Sequence, residues 1–174
     1  MIARHQLAAY SPITFSDCLS AAAASVSRGG DQRSKLAALL RDEYDAERVI
    51  LLGSGTQALQ VAVASALAVA GGKTRVALPA YTCYDVASAA IGAGARIALY
   101  DIDPESLGPD CDSLERVLRE GARIIVVAYS YGVPIDWDKV TDLALRYDAT
   151  VIEDAAQGHG ASWRGKKLGA LSNI

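Results

Sequence analysis

The chain has 174 residues, 51% of them apolar and 21% charged, with a formal net charge of −3. That is enough apolar material for one domain with its own core, and too much for a disordered chain. The slight acidic excess, with no stripe of Lys and Arg, argues against nucleic acid or an anionic membrane as partner.

Cys18, Cys83 and Cys111 lie far apart and form no C-x-x-C pair. With no secretory leader recognisable, they read as reduced thiols of a cytoplasmic protein. The longest apolar stretch, residues 58–70, contains Gln60 and is too short to cross a bilayer. Asp17 and Arg28 bracket the alanine-rich run near the N-terminus, which argues against a signal peptide.

Residues 1–14 show no period and read as an arm. Ser16 is placed to cap a helix reaching about Ser27, stopped by Gly29-Gly30. Asp31 is placed to cap a second, in which Leu36, Leu39, Leu40 and Tyr44 recur at helical spacing. An alternation then begins. Strands are expected at 49–52, 75–78, 96–100, 124–127 and 150–152. Helices are expected at 57–70, 84–91, 111–120 (capped by Asp110 or Asp112) and 136–147. The strands are continuously apolar, as in sheets covered on both faces. The expected fold class is therefore α/β, a three-layer, mostly parallel sheet flanked by helices. One domain is expected over 1–174, with an arm and helices in 1–45 and the alternating core in 46–174. Residues 161–169 read as a hairpin. Residues 170–174 open a further apolar run, so the chain is expected to be a piece of a larger fold.

In a parallel sheet, the segments that follow the strands share one edge, where ligands collect. The first is Gly53-Ser54-Gly55-Thr56-Gln57-Ala58-Leu59. Its glycines and helix start suit a phosphate. The same letters match G-x-G-x-x-A, but a dinucleotide site needs an acid at the end of the next strand, and Leu78-Pro79-Ala80-Tyr81 has none. The second is Pro79-Ala80-Tyr81-Thr82-Cys83-Tyr84, whose tyrosines either stack on a planar ring or cover the sheet end. The third is Glu153-Asp154-Ala155-Ala156-Gln157-Gly158-His159. Asp154 there either caps the turn that follows or awaits a cationic partner. His159 is a lone histidine at no recognised ligand spacing, so no metal is expected.

Taken in order, and with Gly94-Ala95 leading into Tyr100-Asp101-Ile102-Asp103 and Tyr131-Gly132-Val133-Pro134 between them, these segments resemble the DegT/DnrJ/EryC1/StrS family of sugar aminotransferases. These are pyridoxal-phosphate enzymes of fold type I. The resemblance runs from about Val49 to Ile174 and implies the N-terminal part of the large domain. It implies cofactor-phosphate contacts at Gly55, Thr56 and Gln57, a pyridine-nitrogen partner at Asp154, and a ring-hydroxyl contact at Gln157. Where the family commonly has a stacking aromatic, this chain has Cys83, so the aromatic either moves to Tyr84 or stacking is achieved differently. Where the family often has histidine, the chain has Tyr129, which implies a substrate contact. The family's Schiff-base lysine belongs to a segment beyond Ile174, and Lys166 and Lys167 read as solvated turn lysines. The implied activity moves an amino group from an amino acid, glutamate, to a nucleotide-linked keto sugar in polysaccharide or secondary-metabolite biosynthesis. The implied assembly is a homodimer, and the 174 residues alone are expected to be inactive. Two other readings stay open: a pyridoxal-phosphate sugar dehydratase with histidine in place of the lysine, and a non-catalytic binding or regulatory protein on the same scaffold.

Overall fold

The computed structural model describes residues 13–26, 31–71, 74–172 and 174. Residues 1–12 of the arm expected over 1–14, and the Gly29-Gly30 stop, lie outside them. Contacts divide the chain into Met1–Leu36 and Ala37–Ile174. The first unit holds helix α1, Phe15–Val26, which buries no residue. Helix α2 is Gln32–Tyr44.

In the second unit, α3 (Gly55–Val69), α4 (Tyr84–Gly92), α5 (Cys111–Arg119) and α6 (Trp137–Arg146) alternate with β1 (Arg75–Pro79), β2 (Arg96–Tyr100), β3 (Ala122–Ala128) and β4 (Thr150–Asp154). The four strands form a parallel sheet in the order β2-β1-β3-β4. A two-strand hairpin follows, β5 (Ser162–Trp163) with β6 (Lys166–Lys167).

Both sheet faces are buried, which is why the central strands carry no polar alternation. Val76, Leu78, Ile124, Val126 and Ile152 pack with Leu59 and Val63 of α3 and Val86 and Ala89 of α4. Their neighbours Ala77, Ile125 and Val127 pack with Leu114 and Leu118 of α5 and Val140 and Leu143 of α6. Successive residues of one strand thus feed opposite layers. Asp110 caps α5 by accepting from the Ser113 N–H at 2.8 Å, and Leu114, Val117 and Leu118 line its buried face.

One expected strand does not form. Residues 49–52 have no regular secondary structure, and Ile50 and Leu52 are exposed. An isolated strand has no ladder to stabilise it, and neither edge of the four-strand sheet pairs with this run.

Candidate active site

The segments leaving the C-terminal ends of β1, β3 and β4 converge on a cleft of about 280 Å³. Tyr81, Thr82 and Cys83 come from the first, Ser130 and Tyr131 from the second, and Asp154 and Gln157 from the third. This is the edge at which open α/β sheets place ligands.

β4 ends in two acids, and strand alternation sends them apart. Ile152 faces the α3/α4 layer, so Asp154 takes that side and Glu153 the other. Asp154 is half-buried. Its Oδ1 accepts from the Ala156 N–H at 3.1 Å, so it steadies the turn with one oxygen while its carboxylate lines the cleft. Gln157 lines the same cleft, and its Oε1 accepts from the Tyr131 N–H at 2.7 Å.

The N-terminus of α3 stands beside the cleft rather than in its lining. Only residues 70–74 join the end of α3 to the start of β1. The helix is about 22 Å long and packs on β3 and β4. Its N-terminus therefore lies toward the sheet edge where Asp154 emerges, and on the same face. Ser54 Oγ accepts from the Gln57 N–H at 3.2 Å, and Gln57 Oε1 accepts from the Gly53 N–H at 3.1 Å. Ser54 thus caps α3, and the Gln57 side chain reaches back to the residue before the cap. The Gln57 N–H, expected to hold phosphate, is thereby already used within the cap. The N–H groups of Gly55 and Thr56 accept no such role among the described residues, and a side chain built on Gly55 would meet no atom within 4 Å.

Cys83 and Tyr129 both belong to the cleft lining, and Tyr84 does not. Cys83 lines the cleft, with its thiol 3.7 Å from Asp85 Oδ2. Tyr84, offered as the displaced stacking aromatic, opens α4 and is 79% exposed, outside the cleft; Tyr81 is the aromatic this segment supplies to the lining. Tyr129, offered as a substrate contact, is 2% exposed. Its hydroxyl donates to Glu153 Oε1 at 2.5 Å and accepts from Trp137 Nε1 at 2.7 Å. That hydroxyl is committed to the core. Burial, then the Glu153 carboxylate, push the phenol well above its ordinary range.

Glu153 was not singled out by the sequence, yet it is the most heavily bonded acid near the cleft. Besides Tyr129, it accepts from the backbone N–H of Gly169 at 2.6 Å, Leu171 at 2.8 Å and Ser172 at 3.2 Å. A carboxylate with several charge-assisted bonds is a strong anchor. Here it ties residues 169–172 to the strand that carries Asp154. His159 shares a 2.5 Å hydrogen bond with the Tyr44 hydroxyl. Lys167 pairs with Glu43 at 2.6 Å, and no described lysine lines the cleft.

Comparison with known proteins places this geometry. The DegT/DnrJ/EryC1/StrS aminotransferase family matches over residues 15–174. L-glutamine:2-deoxy-scyllo-inosose aminotransferase of Streptomyces fradiae is 32% identical over 146 residues, covering 83% of this chain and 34% of that protein. UDP-2-acetamido-2-deoxy-3-oxo-D-glucuronate aminotransferase of Pseudomonas aeruginosa is 34% identical over 145 residues, covering 83% of this chain and 40% of that protein. Among solved structures, the aminotransferase from Psychrobacter cryohalolentis superposes with a TM-score of 0.82 at 25% identity, over 93% of this chain and 42% of that one. The chain thus spans between a third and two fifths of the length of these curated relatives. With the family pattern matched over 15–174 and the three-layer fold shared, the chain belongs to the DegT/DnrJ/EryC1/StrS aminotransferase family, a family of pyridoxal-phosphate enzymes.

Proposed function

We propose that the protein carrying this chain is a pyridoxal-phosphate aminotransferase. It moves an amino group from an amino acid, glutamate or glutamine, onto the ketone of a polyhydroxylated ring, either a nucleotide-linked sugar or a cyclitol. The acceptor classes are those in the names of the two relatives. The observation that carries the reading is Asp154, a half-buried acid at a strand end that lines the cleft with one oxygen engaged in its own turn.

The donor set suits the cofactor. A carboxylate in the cleft suits a cationic ring nitrogen, an amide beside it suits a ring oxygen, and the Gly55 and Thr56 N–H groups suit a phosphate. When bound, pyridoxal phosphate supplies an electron sink for the carbon that exchanges its amino group. Asp154 keeps a proton on the ring nitrogen, because the charged form is favoured beside a carboxylate. Gln157 orients the ring through its amide. The free N–H groups at the α3 N-terminus would hold the phosphate end. Tyr81 and Tyr131 wall the side open to solvent.

We further infer that the covalent lysine is not among these residues. Lys166 and Lys167 lie in the hairpin, and Lys167 is paired with Glu43. The 174-residue chain alone should therefore not turn over, and the complete protein should work as a homodimer in the cytoplasm. The test is amino transfer from L-glutamine or L-glutamate to a keto-cyclitol and to a nucleotide-linked keto sugar, with the complete protein and with this chain alone. Transfer by the complete protein only is the expected result. Deoxygenation of the sugar without net amino transfer would instead establish a dehydratase. Turnover by the 174 residues alone would reject the inference about the lysine.

A further inference from the structure

Tyr131 has a backbone conformation that its residue type does not favour. Its φ is +57° and its ψ is +20°, in the left-handed region that L side chains other than Asn and Asp rarely enter. Gly132 follows at φ +72°. Such strain persists only where surrounding structure enforces it, and it concentrates at functional sites. Here the enforcing contacts converge on one residue. The Tyr131 N–H donates to Gln157 Oε1 at 2.7 Å. A Cβ on Gly132 would sit 2.6 Å from the main-chain oxygen of Gln157, so only glycine lets the two loops approach this closely. The loop after β3 and the loop after β4 are thus locked together at the cleft.

The lock has a chemical consequence. A side-chain amide has one acceptor end and one donor end. A backbone N–H can only donate, so the end of Gln157 that meets Tyr131 must be its oxygen. What remains for the cleft that Gln157 lines is the NH₂ group. We propose that Tyr131 and Gly132 are positioning residues for Gln157: their left-handed turn fixes the amide so that it presents a donor to the bound ligand. The site therefore requires an acceptor oxygen at that point, such as a ring phenolate. Tyr131 then has a second task. Its phenol lies 3.2 Å from the Tyr81 hydroxyl, bridging the segments after β1 and β3, so the same turn that sets the amide also sets one wall of the cleft.

The inference rests on the cofactor reading above, and the experiment separates the two. In the complete protein, the dissociation constant for pyridoxal phosphate is measured by absorbance for the wild type, Gly132→Ala, Gln157→Leu and the double variant. Gln157→Leu removes the donor and should weaken binding about tenfold, the value of one well-placed hydrogen bond. Gly132→Ala pushes the Gln157 backbone away and should weaken binding by a similar factor. If Gly132 acts through Gln157, the double variant binds no worse than Gln157→Leu alone. Full additivity would overturn the proposal. A wild type that ignores pyridoxal phosphate would overturn the cofactor reading and the inference together. A measurement without cofactor guards against a folding defect. Nitrogen-15 relaxation of the Gln157 side-chain NH₂ should report a rigid group in the wild type, and in Gly132→Ala a mobile one. A mobile NH₂ in the wild type would also overturn the proposal.

Discussion

Glu153 and Asp154 are one peptide bond apart and have unrelated tasks, because a strand directs alternate side chains to opposite faces. Asp154 meets the cleft; Glu153 meets three backbone N–H groups and a phenol on the other side. Their conservative variants should therefore fail in opposite ways. Asp154→Asn should leave the thermal midpoint of the protein unchanged but cut turnover by about a hundredfold or more, since a neutral amide does not hold a proton on the ring nitrogen. Near-normal turnover would remove Asp154 from the mechanism. Glu153→Gln should do the reverse. Its NH₂ would be forced against an N–H donor, leaving a part-buried group unsatisfied at about 1–3 kcal/mol, visible as a lower denaturation midpoint. Asp154 was legible in the sequence because an acid ending an apolar run is costly without a partner. Glu153 was not, because its backbone partners lie 16 to 19 residues further on, its phenol partner lies 24 residues earlier, and no local pattern announces them. The positive φ of Tyr131 was illegible for a related reason: nothing in its residue type favours that conformation, and its N–H partner Gln157 lies 26 residues further on.

The elements that were legible are those whose signal is local. Apolar runs bounded by glycine, proline or an acid located β1 to β4, and helix-forming runs between them, with a capping acid at α5, located α3 to α6, each within a few residues. Residues 49–52 carry the same apolar signal and form no strand, because a strand also needs a neighbour, which a run of residues cannot specify by itself. At α3 the local signal and the proposed function meet. Ser54 uses its hydroxyl to cap the Gln57 N–H, which leaves the Gly55 and Thr56 N–H groups for an anion. Ser54→Ala should cost about 1 kcal/mol of stability and should weaken binding of pyridoxal phosphate more than that of pyridoxal, which lacks the phosphate. Equal weakening of both would show that the α3 N-terminus does not hold the phosphate.

At the scale of the whole molecule, two phenols are folded into the three-layer core with their hydroxyls spent on internal acceptors. Tyr100 is fully buried and donates to the Val126 carbonyl at 2.8 Å, and Tyr129 donates to Glu153. Burial drives both above the ordinary tyrosine range. In the unfolded chain each ionises near pH 10; in the folded protein each keeps its proton well past that. Their contribution is thus fully present below about pH 10 and is lost as the pH rises further, because the unfolded state then releases protons that the native state retains. The thermal midpoint should be insensitive to these groups from pH 8 to about 9.5 and fall steeply above about 10.5. Tyr100→Phe isolates one of the two, since it removes the ionisable group while keeping the ring that fills the core. That variant should start less stable, by about the one hydrogen bond to Val126, and should lose stability more slowly with rising pH. If wild type and variant fall in parallel, the alkaline loss comes from other groups, and the buried phenols do not set the upper pH limit of this fold.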